Sequence, residues 1–550
     1  MSNLQINTRV RRLYNYLNDF EDGKIQIPPF QRDFVWTNEK KLELLDSLKN
    51  GYPIGSVLFW QPSQNIKNDL IVEELQVIGG YYLDNKNSDF YYILDGYQRL
   101  STLFGCFIDS KKTRLKKNEK EWKTKFDIVY NLKDDKFEFN RKTKTEIEVY
   151  QIPLYFFSDG GNFYDFLISL RDLNYPENVK EEFIERYKNF GSKISSYDIP
   201  SIDLIGGTIK DAVDIFSRLN SRGEIISNDW KVSALSFNKE RNFRFGSEVD
   251  TLFEHLKLYN FFTSPEDKKN KRELILQCVL NTFEDDIVYF DIGKTTKALE
   301  ELAGQEKFVD VSRKAFVNIK KAIEFLYTEL FVINSKLLPY SSQLIFITDF
   351  FNKIEKPTSI QLESLKRWFW ITAYSNYFTI YNLGKQRLAY QEFQKFVADK
   401  NHNPIYYDKK ERTFETVKFP IKIEMGSVRA KALALFMLQH QANTEKLDAN
   451  FVSGYKYYKL FKDLIDRNSN ISENTILIID DNSYPIPKSQ KDLSDWLESN
   501  EDHSKFFIDS NMKTAFKNGA SKEVILGMRK KLIIDAEKSF VESFNLTYIE

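Results

Sequence analysis

Residues 91–103, YYILDGYQRLSTL, are the segment that most restricts how this chain folds. An aromatic and aliphatic run is followed by Asp-Gly, then by Gln-Arg and helix-compatible sequence, so it predicts a strand, a tight turn and a helix. Such a turn directs backbone N–H groups and the positive end of the helix dipole at an anion, and Arg99 adds a fork that binds phosphate. The same pattern also fits an ordinary Asp-Gly turn beside a solvated arginine.

Two further segments share this character. IPPFQRDFVW, residues 27–36, carries a second Gln-Arg pair, Gln31 and Arg32, after two prolines, and FSRLNSRG, residues 216–223, ends in Asn-Ser-Arg-Gly. All three segments join a basic side chain to turn-forming residues. Together they raise the expectation of a phosphate or nucleotide site.

The length and the hydrophobic pattern predict an α+β protein of several domains. With 550 residues the chain exceeds what one core organises. Short β-prone runs alternate with helical ones up to about residue 240, including an amphipathic helix over residues 39–49, whereas long helical segments such as 311–331 and 362–396 follow. We therefore predict an α/β domain over 1–240, a helical domain over 241–445 and a small α/β or helical domain over 446–550. The aromatic run 367–375 is typical of core packing.

Charge excludes a uniformly basic nucleic-acid-binding surface. The chain has 79 basic and 79 acidic residues, so a polyanion has to be met by a local patch. The clearest patch lies within 110–125, where Trp122 is available to stack on a base. We predict DNA contact there, with a solvated helix face as the alternative, through Lys111, Lys112, Arg114, Lys116 and Lys117. Arg9, Arg11 and Arg12 are a smaller candidate of the same kind.

Several other classes of protein lack support in the sequence. Two cysteines, Cys106 and Cys278, form neither a disulfide framework nor a zinc site, and the four histidines show no ligand spacing. The segment Gly293 to Thr296 resembles the end of a P-loop, but Val288 stands where that motif requires glycine. There is neither an apolar signal segment nor a run of membrane-spanning length, so we expect a cytoplasmic protein without membrane contact.

Four motifs taken together resemble a known family. IPPFQRDFVW, ILDGYQRLSTL, IFSRLNSRGEIIS and RWFWITAYS occur in the order, and roughly the spacing, of the ParB-like family called domain of unknown function 262. That family is typified by the N-terminal half of the GmrSD modification-dependent restriction enzymes. The resemblance implies a ParB/sulfiredoxin-like α/β fold whose D-G-x-Q-R motif binds nucleoside triphosphate and supports its hydrolysis, in bacterial defence against phage or modified DNA.

The resemblance also assigns roles by position. It makes Asp95, Gly96, Gln98 and Arg99 the nucleotide motif. From the needs of phosphoryl transfer we predict that Asp95, Gln98 and Arg99 are catalytic, with Asp95 orienting Mg²⁺ or the attacking water and Arg99 neutralising phosphate charge together with Arg32. Tyr97 stands where the family usually has glutamine, which bears on base preference. The alternative is structural: Asp95 caps the helix and the arginines pair with carboxylates. The predicted nucleotide-binding residues are Gln31, Arg32, Gly96, Tyr97, Ser101, Thr102, Asn220, Arg222 and Gly223.

Many relatives carry a C-terminal His-Asn-His-type nuclease, domain of unknown function 1524, with a His-Ile-Phe-Pro-like signature. Its counterpart here is YYKLF at 457–461, followed by 474–478 and Asn482, and the histidine is missing. Without that general base we predict an inactive nuclease domain. The tail 515–544 is alternatively a plain terminal helical region.

Three functional hypotheses follow. The first is a defence protein that binds and hydrolyses nucleoside triphosphate with Mg²⁺ to gate engagement with DNA or a partner. The second is a non-catalytic nucleotide- or DNA-sensing scaffold that works with a separate nuclease or effector subunit. The third is a DNA nuclease that acts through the ParB-like domain. Assembly as a homo-oligomer is compatible with each of them.

Overall fold

The structure is a computed structural model in which two compact units are separated along the chain, Met1–Gly246 and Ser247–Glu550. The three-domain division inferred from the sequence stays a prediction. The structure describes residues 4–31, 34–70, 76–83, 89–140, 148–219, 227–283, 292–408, 413–442, 446–450, 452–462, 464, 470–481, 486, 490 and 492–550.

The first unit alternates strands and helices. Its strands are β1 (Gln5–Arg12), β2 (Ile25–Gln26), β3 (Val57–Gln61), β4 (Val77–Ile78), β5 (Tyr81–Tyr82), β6 (Tyr91–Asp95), β7 (Ile128–Asn131), β8 (Lys136–Phe139), β9 (Gln151–Pro153) and β10 (Asp198–Ile205). Its helices are α1 (Leu13–Glu21), α2 (Asn38–Asn50), α3 (Gln64–Leu70), α4 (Tyr97–Phe107), α5 (Glu119–Lys125), α6 (Gly161–Arg171), α7 (Glu177–Ser196), α8 (Ile209–Leu219) and α9 (Asn228–Leu235).

A mixed five-stranded sheet in the order β1-β10-β3-β6-β2 is the centre of this unit. β10 runs parallel to β3 and β2 parallel to β6, while β1 and β10, and β3 and β6, pair antiparallel. Ile93 faces the core that includes α1, α2, α4 and α7, whereas Tyr92 and Leu94 face a second core that includes α8 and α9. Because both faces are covered, Tyr91 to Leu94 of β6 form a continuous aromatic and aliphatic run instead of alternating with polar residues, and Asp95 ends the strand. A separate three-stranded sheet has the order β8-β7-β9.

Helix α2 confirms the amphipathic helix predicted over 39–49. The Thr37 side chain accepts a hydrogen bond from the Lys40 amide at its start, and Gly51 ends it in the left-handed region at φ 73°. Leu45 and Leu48 are completely buried, and Leu42 is half-buried. The helix therefore packs its apolar face into the core beneath the sheet.

The second unit is predominantly helical. Helix α10 (Phe245–Leu256) begins just before the division between the units. It is followed by α11 (Pro265–Thr282), α12 (Ile292–Ala303), α13 (Phe308–Leu330), α14 (Ser341–Lys353), α15 (Ser359–Tyr374), α16 (Tyr377–Ile380), α17 (Leu383–Ala398), α18 (Val428–Gln441), α19 (Ser510–Lys517) and α20 (Lys522–Glu542). Its short strands are β11 (Phe414–Glu415), β12 (Tyr455–Lys459), β13 (Thr475–Ile479) and β14 (Leu546–Thr547).

The helix predicted over 362–396 is interrupted. Asn376 adopts a left-handed conformation at φ 54°, and the Asn382 side chain caps α17, so three helices replace one. The aromatic run within α15 lies in the core as predicted, with Trp368 1% exposed and stacked on Phe346 at 5.3 Å between ring centroids. The α+β class, with an α/β first part and a largely helical remainder, is confirmed. Among the described helices, none combines the length and apolarity needed to cross a membrane.

Candidate functional site

The Asp-Gly turn joins β6 to α4, as predicted. Gly96 occupies the N-cap position at φ 90°, and a Cβ there would lie 2.8 Å from Val57 Cγ1. Glycine is therefore required both by the backbone conformation and by the close approach of β3. Within the described residues no side-chain hydrogen bond caps this helix start, and its first turn holds no acidic residue, an arrangement that favours an anion there.

Arg99 is held inside the protein by three hydrogen bonds. Its Nη2 pairs with Asp95 Oδ2 at 2.9 Å and also donates to the Ser56 carbonyl at 2.9 Å, while Nη1 donates to the Ile54 carbonyl at 2.6 Å. Gly55 makes room for this fork, because a Cβ there would lie 2.5 Å from Nη1. This arrangement corresponds to the structural alternative for Asp95 and Arg99, in which the arginine pairs with a carboxylate.

Gln98 and Gln31 connect the first two segments. The buried Gln98 side chain accepts hydrogen bonds from the backbone amides of Val35 and Trp36, at 2.9 and 3.2 Å. Gln31 Nε2 donates to the carbonyls of Ile93 and Leu94 at the end of β6, at 3.2 and 3.1 Å. The segment around Gln31 is therefore tied to both sides of the Asp-Gly turn.

Trp230 of α9 connects the third segment to Gln31. Its Nε1 donates to Gln31 Oε1 at 3.3 Å, and its ring contacts Phe30 edge-on and Phe216 at 4.6 Å between centroids. The structure thus brings together residues that flank or belong to all three segments. The predicted site residues Arg32, Asn220, Arg222 and Gly223 lie outside the described residues.

The remaining predicted nucleotide ligands point into the protein. The Ser101 hydroxyl accepts a hydrogen bond from the Gly79 amide at 2.9 Å, and Thr102 donates to the Gln98 carbonyl at 2.8 Å. Tyr97 is 8% exposed, and its hydroxyl donates to the Val77 carbonyl at 3.4 Å. These side chains have structural bonds here, and their assignment as nucleotide ligands stays a prediction.

Sequence reasoning did not single out Gly55, Trp230 or Lys41. Lys41 is 1% exposed, donates to the Lys125 carbonyl at 2.7 Å and lies 4.9 Å from the Phe139 ring centroid. Burial lowers the pKa of Lys41. Its position on the α2 stripe that also carries Leu45 and Leu48 is a signal that would have revealed the burial.

The basic patch is partly neutralised by nearby acidic groups. Lys112 pairs with Asp159, and Arg114 lies 3.9 Å from Asp22 and donates to a backbone carbonyl. Lys117 contacts Glu119 at 3.1 Å and lies over the Trp122 ring, whose Nε1 donates to the Gly105 carbonyl. Lys111 and Lys116 have exposed side chains and no acidic partner among the described residues. The patch offers fewer unpaired charges than its sequence suggests.

The three arginines of β1 have aspartate partners as well. Arg9 contacts Asp203 at 3.1 Å, Arg11 contacts Asp19 at 2.6 Å and Arg12 contacts Asp198 at 3.2 Å.

The described histidines, cysteines and carboxylates outside the turn offer little for a metal or a nucleophile. No three His, Cys, Asp or Glu side chains come together as a ligand group within the described part of the chain. Cys106 and Cys278 are buried, and burial raises the pKa of each thiol to about 12. His503 is 2% exposed and stacks on Trp496 at 4.2 Å.

The C-terminal segments form a hairpin of β12 and β13. Asn474 is fully buried and holds it together, because its side chain exchanges two hydrogen bonds with the Phe461 backbone, at 2.8 and 2.9 Å. The hydroxyl of Tyr457 contacts Thr475 Oγ1 at 2.9 Å. Residues 515–544 are mostly helical, because α19 and α20 occupy most of them. Asn482 lies outside the described residues.

The first unit is an α/β domain with an Asp-Gly-Tyr-Gln-Arg turn at a strand end. Residues of the second segment, and residues that flank or belong to the third, lie beside this turn. Residues 13–237 match the family described as GmrSD restriction endonuclease, N-terminal domain. This confirms the resemblance for that region, and residues 13–237 form a GmrSD N-terminal-like domain. The match ends at residue 237, so the likeness of the C-terminal region to a His-Asn-His nuclease stays a prediction.

A longer similarity links the chain to a protein of Methanocaldococcus jannaschii that is named as uncharacterised. The two are 21% identical over 483 residues, which make up 83% of this chain and 79% of that protein. The similarity therefore extends well beyond the GmrSD N-terminal-like domain.

Proposed function

We propose that this chain is a restriction-type defence protein whose first unit binds nucleoside triphosphate and hydrolyses it with Mg²⁺. Asp95, Gln98 and Arg99 carry the chemistry, and the nucleotide state gates engagement with DNA or a partner subunit. The observation that supports this most is the convergence of Gln31, Gln98 and Trp230 near the start of α4. This convergence lies within the region that matches the GmrSD N-terminal domain.

The turn has the chemical parts that phosphoryl transfer requires. The start of α4 supplies the dipole and amide environment that favours phosphate oxygens. Phosphoryl transfer depends mainly on positioning and charge neutralisation, which Arg99 would supply by exchanging one internal acceptor for a phosphate oxygen. The Arg99 side chain is 18% exposed, so it is not fully closed off from solvent. Gln98 positions the loop that follows Gln31 and Arg32 through the amides of residues 35 and 36.

Asp95 is the residue that fits Mg²⁺. Its side chain is 36% exposed, Oδ2 pairs with Arg99, and Oδ1 has no hydrogen-bond partner among the described residues. Mg²⁺ sites on nucleotides usually take one or two carboxylates, with phosphates and water as the other ligands, so a single carboxylate is compatible with the chemistry. Bound there, the ion would neutralise phosphate charge, while Asp95 would hold it or orient the attacking water.

Phosphate release from a panel of nucleoside triphosphates tests this proposal. We expect Asp95→Asn and Arg99→Lys to lower turnover at least tenfold. Arg171 and Asp172 form an exposed pair on the same unit, 3.7 Å apart, so Arg171→Lys and Asp172→Asn are matched controls that should keep wild-type rates. Asp95→Asn retains a hydrogen-bond acceptor for Arg99, so its melting temperature should stay near wild type. Equal turnover by wild type and folded Asp95→Asn would remove this carboxylate from the reaction.

The second candidate is a non-catalytic nucleotide- or DNA-sensing scaffold that works with a separate effector. It is favoured by one observation: Gln31, Gln98 and Arg99 all use side-chain atoms in internal hydrogen bonds. A triphosphate with Mg²⁺ that raises the melting temperature through mass action, without phosphate release, would support this candidate. Metal-dependent plasmid nicking that Asp95→Ala abolishes would instead favour the third, a nuclease in the first unit.

DNA engagement is assigned to Lys111, Lys112, Arg114, Lys116 and Lys117. Each phosphate contact releases counterions, so a basic residue that touches DNA contributes to the salt dependence of binding. Lys111→Ala with Lys116→Ala should weaken binding and flatten its dependence on salt. Lys112→Ala should have a smaller effect, because its charge is already paired with Asp159. Unchanged affinity and salt slope in the double variant would remove the patch from DNA binding. We propose in addition that the C-terminal region lacks nuclease activity.

A further inference from the structure

Strand β1 is an exposed edge of the central sheet. It pairs with β10 along its whole length in a regular register and is the last of the described strands on that side. Its residues from Gln5 to Val10 are all exposed, and within the described residues nothing pairs with its outer edge. Unpaired backbone N–H and C=O groups along eight residues are a template for one more strand.

The edge lacks the features that usually prevent such pairing. Soluble proteins protect sheet edges with lysines, prolines or bulges, and β1 has none of the three. Its positive charges are no substitute, because Arg9, Arg11 and Arg12 each face an aspartate of the same unit. The strand therefore carries little net charge that would repel a second copy.

One face of the edge is apolar. Side chains alternate along a strand, so Ile6, Thr8 and Val10 share a face. Ile6 is 56% exposed and Val10 is 66% exposed. Burying such aliphatic side chains is favourable, so covering this face would stabilise a complex. Their neighbours on β10 are Leu204 and Pro200. The exposed apolar positions are thus four residues apart on one side of an open strand.

We propose that two copies of this chain pair β1 with β1, antiparallel about a two-fold axis at Thr8. The two five-stranded sheets then become one continuous sheet. In this register Ile6 of each copy faces Val10 of the other, and Thr8 faces Thr8. On the opposite face Arg9 meets Asn7. The pairing is independent of the proposed nucleotide chemistry.

The register follows from the sequence of the strand. In an antiparallel pair, two residues that face each other have their side chains on the same face of the sheet. With a two-fold axis perpendicular to the sheet, the axis must therefore pass between two copies of the same residue, which faces itself. Centring on Arg9 places arginine opposite arginine, and like charges directly opposite destabilise a pair. Centring on Asn7 leaves the last residues of β1 beyond the paired region. Centring on Thr8 pairs residues 5–11 and opposes no like charges.

Cross-linking through single cysteines tests the register directly. Directly opposed residues lie within disulfide range, whereas residues displaced by two positions do not. Mild oxidation should therefore link Thr8→Cys into a dimer on a non-reducing gel, while Asn7→Cys and Arg9→Cys should stay unlinked. Cys106 and Cys278 are buried and give no background. Linking of either control in place of Thr8→Cys, or of none of the three, would overturn the proposal.

Sedimentation velocity over a range of concentrations tests the dimer itself. A strand pair buries less area than a standard interface, so we expect a reversible monomer–dimer equilibrium. Val10→Lys should weaken it at least tenfold without changing the melting temperature, since Val10 is exposed in the single copy. Ile168→Lys, at an exposed aliphatic position on α6, is the matched control and should leave the equilibrium unchanged. A wild-type protein that stays monomeric at all concentrations, or a dimer insensitive to Val10→Lys, would refute the interface.

Discussion

Replacing Arg99 by methionine should destabilise the first unit measurably, whatever its role in nucleotide binding. The guanidinium donates three hydrogen bonds, to the carbonyls of Ile54 and Ser56 and to Asp95. Each is worth about 1 kcal/mol net, a value at the lower end for charged donors because the side chain is 18% exposed. Methionine keeps most of the volume but none of the donors, so the expected loss is about 3 kcal/mol.

Thermal unfolding of the full chain measures this loss. For a unit of roughly 250 residues, 1 kcal/mol corresponds to about 2 °C, so the transition of the first unit should fall by about 6 °C. Arg171→Met is the matched control, because its guanidinium is 77% exposed, and its melting temperature should not change. A shift below about 1 °C for Arg99→Met would refute the claim that this arginine organises the turn. Arg99→Lys keeps the positive charge, but it should recover only part of the stability lost in Arg99→Met, because a lysine ammonium cannot reach all three acceptors.

Three further perturbations have defined outcomes. Gly96→Ala should lower the free energy of unfolding by about 1–3 kcal/mol, because Gly96 has φ 90°, whereas Gly160→Ala, with open space around it, should be nearly neutral; equal effects in chemical denaturation would contradict this. Glu537→Gln should cost the second unit about 3–5 kcal/mol in the same assay, because Glu537 is fully buried 2.7 Å from the buried Arg429, and loss of its charge leaves the Arg429 guanidinium unpaired; a loss below about 1 kcal/mol would contradict this role of the ion pair. Burial lowers the pKa of His440 and His503, so the unfolded state binds protons more readily and stability should fall as the pH drops below about 6.5. Melting temperatures between pH 7.5 and 5.5 measure this fall, and replacing both histidines by glutamine should flatten it. An unchanged slope in the double variant would refute the role of these histidines.

Local features of the fold were predictable because they depend on neighbouring residues. Within residues 91–107, the apolar run predicts the strand, the Asp-Gly pair predicts the turn and the helix-compatible residues predict the helix. The helix start at Thr37 and its end at Gly51 follow from capping chemistry in the same way. The predicted helix over 362–396 was wrong in its continuity, because one asparagine in the left-handed region ends α15 where the hydrophobic pattern continues.

The grouping of the three motifs was predictable from the sequence, whereas the roles of their residues as a nucleotide site stay predictions. Three motifs far apart in the sequence were grouped by their chemistry, and the described residues around them do meet through Gln31, Gln98 and Trp230. The charge run at 110–125 was visible, but the aspartates that pair with Lys112 and Arg114 lie elsewhere in the chain. A count of basic residues cannot include partners that only folding brings close.

The sequence by itself determined the strand–turn–helix at Asp95 to Arg99, the α+β class and the likeness to the GmrSD N-terminal domain, because turn chemistry, periodicity and ordered motifs are all written in residue types. The tertiary structure alone decided how Arg99 is used. Two of its acceptors are backbone carbonyls of residues 54 and 56, and every residue has such a carbonyl. No residue type marks which carbonyl a guanidinium will reach, so only the placement of the loop before β3 against α4 reveals it.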